Sequence, residues 1–554
     1  MVLIKTAIKK GFFIIGLYSL EHEDYKFIEI SNSENGYKYL LALMKTIAKE
    51  NKYIITFNGK HYDMPLIQYL VKNDLSSIRE IEIVYLLRRF SDYITNDEEW
   101  YKEKDYYQYK YNNYNHIDLL YYGNGSNLYS DIYANNIKRS DTNDIEVVKK
   151  QLKNDLIIMK KLYEESSDEI NQRKNLSDMF DVNIFDLSRP KIMEKILKVN
   201  FTEKEIIYED RSTTADVTDI ANQYMYENHE INTFKDYLLT LKNVKNTKSV
   251  NYAFSIDNIK CNISSGIMKI NSTHKGFIED VYIIDVKSMY PSMLLKHEIV
   301  PSHLNKDIFL SIYQKIYNLK MSTKNNDLYK SMLVSLVGMY NSGYSWLNSY
   351  ESWISVVLHS TMYMLGVVDK ILSLGHEIVF ANLDSVCFKA NDIDESMFND
   401  EHLLMDVSFY HTMIIKDYNN YIAVGEKIMT SGAFKEANKY PIIAKAIRAY
   451  VVDGYNYVDF IKDRINNLLD FCTIYTAPDD HDVIYMSEVI QNTNRVYVSL
   501  QGDYLYKAKH GKITRMTKEK VKLANVSHGD RGYINYDWYI SQVQKLLFTE
   551  KTLF

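Results

Sequence analysis

The chain contains few cysteines, prolines and glycines: among 554 residues there are 3 Cys, 6 Pro and 19 Gly. The three cysteines, Cys261, Cys387 and Cys472, are scattered and show no Cys-x-x-Cys spacing, which argues against a zinc site and a disulfide framework. A reducing cytosol is therefore the expected compartment. Long apolar runs are also lacking. The stretch 12–18 is too short to span a bilayer and has no cleavage site behind it, so it predicts a strand and no association with membranes.

A net positive charge is absent as well. The chain has 66 Lys and Arg against 72 Asp and Glu, a formal net charge of −6. This argues against a protein that is basic throughout, although a basic cleft can coexist with an acidic exterior. A chain of this length is too long for one core and predicts roughly three to five domains or subdomains.

Two acidic segments are the most informative features that are present. Asp285 ends the apolar, β-prone run 281–285, and Asp384 follows the similar run 378–383. Taken singly, each would be read as a turn or helix-capping residue. Two such strand ends can instead lie side by side in one sheet and direct both carboxylates at a pair of Mg²⁺ ions, an arrangement suited to in-line phosphoryl transfer.

The residues around these aspartates resemble known motifs. Asp285-x-x-Ser288-x-Tyr290-Pro-Ser resembles motif A of family B DNA polymerases, and Asn382-Leu-Asp384-Ser resembles their motif C. Between them, the segment 330–338 resembles motif B, in the same order and at a similar spacing. The resemblance is closest to compact bacteriophage enzymes. It implies an α/β and α+β multidomain fold, with a ribonuclease-H-like exonuclease-type domain and the palm, fingers and thumb of a right-hand polymerase.

The resemblance also implies roles for individual residues. Asp285 and Asp384 are the expected catalytic residues and, with the carbonyl of Val286, the expected ligands of two Mg²⁺ ions, for which Mn²⁺ can substitute. Tyr290 matches a steric gate that excludes the ribose 2′-hydroxyl, so the expected substrates are dNTPs. The implied nucleotide-binding residues are Ser288, Met289, Tyr290, Lys330, Lys315 and Lys320. For Lys315 and Lys320, a solvated helix face is an equally good interpretation.

The central motif departs from the family pattern. Its Asn and Tyr are replaced by Val334 and Val337, which, with Gly338, are expected to lie against the nascent base pair and to check it loosely. A shifted register over 341–345 restores Asn and Tyr but loses the lysine. In motif C the first Asp is Asn382, which weakens the negative field. The surrounding sequence predicts two helices, 307–321 and 327–340, which resemble the helical pair of the fingers.

The N-terminal part alternates strand-like and helix-like segments, an α/β pattern. Within it, Asn58 to Asp63 resembles the second exonuclease motif, 116–120 a strand that usually follows, and Asp155 lies in the place of the third motif. By itself, Asp63 could equally be a helix N-cap before a proline. The first motif should contain Asp and Glu where this chain has Leu3 and Lys5, and Gln151 replaces a Tyr. We therefore interpret Asn58, Asp63 and Asp155 as remnants of an exonuclease site, unless residues upstream of Met1 restore the motif.

The last third of the chain contains the expected contacts to primer–template DNA. The segment 494–507 predicts a β-hairpin with its turn at 501–503. Basic residues then cluster over 507–522, which predicts either a surface that follows phosphates or an ordinary solvated face. The DNA-binding candidates are Ser385, Lys416, Tyr418, Tyr421, Gly432, Arg495, Lys507 and Lys509.

Together these features predict a template-directed DNA polymerase of bacteriophage or viral replication, located in the cytoplasm of the host cell. Primer–template DNA, dNTPs and replisome proteins are the expected partners, and the protein is expected to be a monomer. A specialised lesion-bypass or template-independent polymerase and a non-catalytic DNA-binding or replisome scaffold remain alternatives. The predicted organisation is an exonuclease-like domain (1–165), a connecting segment with the start of the palm (166–275), palm (276–300), fingers (301–346), palm (347–440), and thumb with a C-terminal DNA-contact region (441–554).

Overall fold

The computed structural model describes residues 1–32, 35–96, 107–110, 114–122, 142–202, 214–256, 259–272, 274–390, 392–398, 400, 403–463, 467–478, 481–509, 511–524 and 533–548. The chain forms two compact units. Unit 1 contains Met1–Ile196 with Gln491–Thr493, and unit 2 contains Leu197–Ile490 with Asn494–Phe554. Both units mix helices and strands, so the protein is a mixed α/β multidomain protein.

Unit 1 is built on a five-stranded sheet with the order β3-β2-β1-β4-β5. The first three strands along the chain are antiparallel neighbours, and β4 and β5 continue the sheet in parallel with β1. The strands are β1 (Val2–Lys9), β2 (Phe12–Ser19), β3 (Tyr25–Ser31), β4 (Ile54–Thr56) and β5 (His116–Asp118). The helices are α1 (Gly36–Lys49), α2 (Asp63–Lys72), α3 (Glu80–Asn96), α4 (Tyr107–Lys110), α5 (Ile145–Glu165), α6 (Ser167–Phe180) and α7 (Arg189–Asn200).

Helices cover both faces of this sheet, because successive strand residues point to opposite faces. In β1, Ile4 packs with α1, α2 and α3 on one face, whereas Leu3 packs with α5 on the other. Gly16 allows the close approach of α5, since a Cβ atom there would lie 3.2 Å from Leu156 Cδ1. The strands and helices predicted for the first 70 or so residues are confirmed within about two residues.

Unit 2 is built on a nine-stranded sheet with the order β16-β15-β14-β11-β13-β12-β10-β9-β8, in which every neighbouring pair is antiparallel. The strands of unit 2 are β6 (Ala215–Asp216), β7 (Asn243–Val244), β8 (Tyr252–Ile256), β9 (Ile259–Ser264), β10 (Ile267–Ile270), β11 (Gly276–Val286), β12 (Glu377–Ala381), β13 (Ser385–Lys389), β14 (Met405–Asp417), β15 (Asn420–Gly425), β16 (Ile428–Ser431), β17 (Cys472–Thr476), β18 (Asp482–Tyr485), β19 (Glu488–Ile490), β20 (Thr493–Asp503), β21 (Tyr506–Lys509), β22 (Lys512–Arg515) and β23 (Val521–Leu523). Its helices are α8 (Val217–Asn222), α9 (His229–Leu241), α10 (Met289–Lys296), α11 (Lys306–Ser322), α12 (Asp327–Tyr340), α13 (Tyr350–Ser373), α14 (Ala433–Glu436), α15 (Pro441–Asp453), α16 (Tyr457–Lys462) and α17 (Tyr536–Leu547).

Helix α13 forms the core beneath this sheet. It begins at a capping residue, Ser349, whose hydroxyl accepts a hydrogen bond from the Ser352 N–H. Within the described part of the chain it is the one helix long and apolar enough to cross a membrane, and 78% of its apolar window is buried. Ile354, Leu358 and Met362 pack with strands of the sheet, which is the position of a core helix. The sequence analysis does not predict this helix.

Helices α11 and α12 pack against each other and match the predicted pair within a residue at each end. The Asn305 side chain caps α11 by accepting a hydrogen bond from the Ile308 N–H. Both helices bury apolar side chains on one face, among them Ile312, Ile316 and Leu333. The opposite face of each helix is exposed to solvent and carries most of its polar residues.

The C-terminal part of unit 2 forms two smaller sheets, β17-β20-β23 and β19-β18-β21-β22. The predicted hairpin with its turn at 501–503 is wrong, because these residues lie inside β20, and β21 pairs with β18 and β22 instead. Gly502 serves close strand packing, since a Cβ there would lie 2.2 Å from the Val521 carbonyl oxygen.

A stacked imidazole pair lies at the C-terminal end of helix α10, where His359 is buried and His297 is half-buried. The rings of His297 and His359 stack with centroids 3.7 Å apart, and the Tyr224 hydroxyl lies 3.0 Å from His359 Nδ1. Burial, together with His297 and Lys296, lowers the pKa of His359 to about 3. The unfolded chain therefore binds a proton at His359 near its ordinary pKa of about 6.5, whereas the folded chain does not.

Protonation at His359 should make the fold less stable in mild acid. The pKa of His359 is depressed in the folded state, so neutral His359 makes its full contribution to the free energy of unfolding above about pH 6.5. That contribution is lost as the pH falls, and the loss reaches about 2 kcal/mol at about pH 5. In urea unfolding, His359→Gln should show a smaller loss of unfolding free energy between about pH 7.5 and pH 5 than the wild type. The exposed His22 provides the control substitution His22→Gln. Equal losses in all three proteins would contradict the prediction.

Candidate active site

Asp285 and Asp384 lie side by side at the ends of β11 and β13, two adjacent central strands of the nine-stranded sheet. Asp285 is near the end of β11, and its partner on β13 is Ser385, the residue after Asp384. The Val286 N–H donates a hydrogen bond to the Asp384 carbonyl oxygen at 2.8 Å. The two strand ends are therefore neighbours, as the spacing of the motifs predicts.

The electrostatic setting of both carboxyls disfavours their charged forms. Burial and the charges of Asp384 and Asp406 together raise the pKa of Asp285 to about 6, although Lys330 and Lys287 oppose the shift. Burial also raises the pKa of Asp384, and Lys330 opposes that shift. Lys330 is therefore the cation that acts on both carboxyls, and a bound divalent cation would favour their charged forms in the same way.

The donor set at this edge fits Mg²⁺. Two carboxylates and a backbone carbonyl are hard oxygen donors, and Mg²⁺ is usually held by one or two carboxylates while substrate phosphates and water complete its shell. Among the residues that the structure describes, no group of three His, Cys, Asp or Glu side chains could hold a metal ion. The site is thus a carboxylate pair, in agreement with Asn382 in place of a third acidic residue.

Asn382 has a structural role that the sequence analysis missed. Its Oδ1 accepts hydrogen bonds from the Asp384 N–H at 3.2 Å, the Ser385 N–H at 3.0 Å and the Ser385 hydroxyl at 2.9 Å. An Asn side chain that bonds to backbone two and three residues ahead stabilises a tight turn. Asn382 therefore fixes the turn that presents Asp384. Ser385 is buried and its hydroxyl is used in this turn, so its predicted contact with DNA is wrong.

The turn after β11 is joined to helix α11. Ser288 adopts a left-handed conformation with φ of 57°, and its hydroxyl accepts a hydrogen bond from Lys320 Nζ. Lys320 is buried, and burial, with Lys330 and Lys287, lowers its pKa. The solvated-face interpretation of Lys320 is therefore wrong. Lys315 is exposed and remains compatible with that interpretation.

Tyr290 projects from the first turn of α10 beside the carboxylates. Its ring packs edge-on against Trp353 with centroids 6.0 Å apart. Burial and the charge of the nearby Asp384 together raise the pKa of the hydroxyl to about 12. Met289, the preceding residue, is buried in the core under the sheet, so its side chain is not part of the predicted nucleotide site.

One face of α12 is open above the carboxylates. Lys330, Val334 and Gly338 follow one another at intervals of four residues and are exposed. A Cβ atom on Gly338 would meet nothing within 4 Å, so packing inside the chain does not require glycine there. Val337 is fully buried in the core instead, where the exposed face of the helix gives way to its packed face. Its predicted contact with the nascent base pair is therefore wrong.

The predicted DNA contacts along β14 to β16 are mostly engaged within the protein. Lys416 Nζ donates to the Lys545 carbonyl in the last turn of α17, and burial lowers the pKa of Lys416. Tyr421 is buried against Phe380, with ring centroids 5.1 Å apart, which excludes it from a DNA surface. Gly432 is required by its φ of 52° and by a backbone oxygen that would lie 2.4 Å from a Cβ atom.

Tyr418 and Arg495 are also involved in contacts within the protein. Lys269 Nζ lies 6.0 Å from the centroid of the half-buried Tyr418 ring. Arg495 lies on β20 near Cys472. Burial raises the pKa of the Cys472 thiol, and the positive charge of Arg495 partly opposes that rise.

A basic groove lies on the β19-β18-β21-β22 sheet. The groove is open to solvent and has a volume of about 540 Å³. The residues that line it lie on one face of that sheet and are His481, Lys507, Lys509, Lys512 and Thr514. The cross-strand pairs Lys507–Thr514 and Lys509–Lys512 place three lysines on neighbouring strands. Lys507 and Lys509 are therefore together on one surface, and Lys512 extends it.

Of the candidate exonuclease residues of unit 1, Asp63 and Asp155 are buried and Asn58 is half-buried. Asp63 is the first residue of α2, but Tyr62 is the N-cap, so the capping interpretation of Asp63 is wrong. The Asp63 carboxylate accepts hydrogen bonds from Thr6 and forms a salt bridge with Lys5. Asp118, which the sequence analysis did not single out, is a further buried carboxylate.

The Asp118 carboxylate accepts the backbone N–H groups of Asn58, Lys60 and Leu120. Asn58 itself has φ of 56° and forms part of this turn. Asp155 is buried on α5. The signal that could have identified Asp118 is its position at the end of an apolar strand, the same signal that Asp285 gave.

Comparison with known proteins identifies a domain within unit 1 and distant relatives of part of the chain. Residues 6–146 match the RNase_H superfamily (RNase_H_2), so unit 1 contains a ribonuclease-H-like domain. The chain is 24% identical over 208 residues to DNA polymerase 3 of Saccharolobus solfataricus, and 27% identical over 210 residues to DNA polymerase 3 of Saccharolobus shibatae. Each match covers 32% of this chain and 27% of the relative, so the chain spans about a quarter of the length of these relatives.

Among solved structures, the family B DNA polymerase from the hyperthermophilic archaeon Pyrobaculum calidifontis matches 98% of this chain and 77% of its own, at 12% identity and a TM-score of 0.38. A score at this level says little about the arrangement of individual elements. What the comparisons establish is a ribonuclease-H-like domain and a distant sequence similarity to archaeal DNA polymerases.

Proposed function

We propose that the protein is a template-directed DNA polymerase that adds dNTPs to a primer 3′-hydroxyl with two Mg²⁺ ions. The observation that carries this proposal is the adjacency of Asp285 and Asp384, with Lys330 acting on both carboxyls and Tyr290 beside them. The distant relatives are named DNA polymerases, which supports the same reaction class.

Each residue has a defined task in this reaction. Bound metal ions lower the pKa of the primer hydroxyl and neutralise charge on the triphosphate. Asp285, Asp384 and the Val286 carbonyl would hold these ions, and Lys330 would bind the triphosphate as a compact charge. The buried Lys320 orients Ser288 in the turn after β11, and the triphosphate would lie along this turn. Val334 and Gly338 present an apolar, open surface to the new base pair.

The basic groove supports a role in DNA binding. Lys507, Lys509 and Lys512 lie on one face of a sheet, where they can contact successive phosphates without reading sequence. Primer–template DNA is thus the proposed main partner. Replisome proteins, a bacteriophage or viral origin and the host cytoplasm belong to the same proposal and follow from the resemblance alone.

The ribonuclease-H-like domain is proposed to have weak or no 3′–5′ exonuclease activity. Leu3 is a core residue and Lys5 is paired with Asp63, so neither supplies the carboxylate that a metal-dependent nuclease needs at that strand. The domain is then retained for its structure.

Two other functions fit part of the same evidence. The aliphatic Val334 on the exposed face of α12 favours a specialised lesion-bypass or template-independent polymerase, because an apolar contact tolerates altered base pairs. Among the described residues no group of three His, Cys, Asp or Glu side chains could hold a metal ion, which favours a non-catalytic scaffold that binds DNA.

Primer extension separates these functions. Wild-type protein should extend a primer on a templated substrate with dNTPs and Mg²⁺ and should leave a blunt duplex unextended, whereas Asp384→Ala should be inactive on both. Extension of the blunt substrate would favour the template-independent enzyme. No incorporation by wild-type protein, together with intact DNA binding, would favour the scaffold and overturn the proposal.

A further inference from the structure

The carboxylate of Asp63 is buried and both of its oxygens are engaged within unit 1. Its side chain is 0% exposed. Oδ1 accepts the Thr6 N–H at 2.9 Å and the Thr6 hydroxyl at 2.6 Å, and Oδ2 lies 3.2 Å from Lys5 Nζ. Three donors of this chain, one of them a full positive charge, therefore surround the carboxylate from the neighbouring strand.

Lys5 reaches Asp63 from the strand where the resemblance to exonuclease domains leads one to expect acidic residues. Residues two apart on a strand share a face, so Leu3 and Lys5 point the same way from β1. Leu3 is fully buried among Leu156 and Met159 of α5. Lys5 is itself largely covered, with 19% of its side chain exposed. One expected metal ligand is thus apolar, and the other is a cation.

Asp118, another buried carboxylate of this region, does not restore a metal site. The Asp118 oxygens accept three backbone N–H groups of the turn that follows β4 and of its own strand end. Within the described residues, no group of three His, Cys, Asp or Glu side chains could hold a metal ion. The residues present in unit 1 therefore do not fit the divalent cations of a ribonuclease-H-like nuclease.

A lysine ammonium and a divalent cation compete for the same carboxylate oxygen. An ammonium that is covalently attached does so at every metal concentration, whereas removing it leaves a buried carboxylate without its countercharge, which is strongly destabilising. We propose that the Lys5 ammonium replaces a metal ion at Asp63 and holds β1 to α2, so that unit 1 is stable without divalent cations. This rests on the proposed loss of exonuclease activity and adds a structural role for the residue responsible.

The test is the thermal stability of the full chain, measured by calorimetry in EDTA and in millimolar Mg²⁺ or Mn²⁺. Lys5→Met should lower the unfolding temperature of unit 1 by about 4–8 °C in both conditions. Lys5→Arg keeps the charge and should recover most of that loss. The control is Lys10→Met, since Lys10 is exposed in the turn after the same strand. Hydrogen exchange of peptides covering β1 and α2 assigns the transition to this contact.

The second part of the test is the effect of metal ions on a variant with an acidic residue at position 5. Lys5→Glu should be less stable than Lys5→Met in EDTA, because it places a second carboxylate beside Asp63, and Mn²⁺ should restore part of the loss. The inference is overturned if Lys5→Met is as stable as wild type. It is also overturned if Mn²⁺ stabilises unit 1 of the wild type and Asp63→Asn abolishes that effect. Primer extension by Lys5→Met should equal that of wild type, so failure of the polymerase proposal would appear there and leave the stability result unchanged.

Discussion

Asp285→Asn should reduce primer extension by about 10³-fold or more, equivalent to about 4 kcal/mol of transition-state stabilisation. The substitution preserves size but removes one of only two carboxylates at the site. The loss should appear in kcat, because DNA and dNTP binding do not depend on this carboxylate alone. Single-turnover extension with saturating dNTP and Mg²⁺ measures it directly.

The sheet provides a matched control for this substitution. Asp406 lies directly opposite Asp285 on β14, but its side chain is exposed and its carboxylate is 3.8 Å from Lys287 Nζ. Asp406→Asn should therefore change extension by no more than about 3-fold. A loss as large as that of Asp285→Asn would show that the site contains a third carboxylate, and an active Asp285→Asn would contradict the assignment itself.

Tyr290→Ala should lower the discrimination between dNTPs and NTPs by a factor on the order of 10². The ring lies beside Asp384 and is held edge-on by Trp353, so it is rigid enough to exclude a 2′-hydroxyl. The ratio of kcat/KM for a dNTP and the matching NTP measures the effect. Activity with dNTPs should persist, which shows that the variant folds.

Tyr290→Phe separates the ring from its hydroxyl. Because exclusion depends on the ring, Tyr290→Phe should discriminate like the wild type, within about 3-fold. Unchanged discrimination in Tyr290→Ala would place the sugar elsewhere. Equal losses in both variants would mean that the hydroxyl acts by hydrogen bonding, and the steric explanation would then fail.

Local sequence patterns were good guides to the secondary structure and to the carboxylate pair. The strands of the first 70 or so residues and the two helices around Lys330 follow from alternation and helical spacing, which depend on neighbours along the chain. Asp285 and Asp384 could be placed together because the ends of paired strands meet. The hairpin at 501–503 failed since Gly502 serves a close approach by β23, a contact distant in sequence.

Burial was the property that sequence motifs misjudged. Val337, Tyr421 and Ser385 were assigned to ligand or DNA contacts, but all three are buried. A motif records which residue types occur together, whereas the side that each one faces depends on what packs against its helix or strand. The same limitation applies to Lys320, whose burial and contact with Ser288 distinguish it from the exposed Lys315.

By itself, the sequence determined the alternation of strands and helices, the two acidic strand ends, and the presence of Lys5 where an acidic residue is expected, because these depend on residue type and spacing alone. The tertiary structure decided what those residues contact. It brings Asp285 beside Asp384 and pairs Lys5 with Asp63. These contacts join residues as far apart as 58 and 99 positions, and only packing of the folded chain brings such residues together.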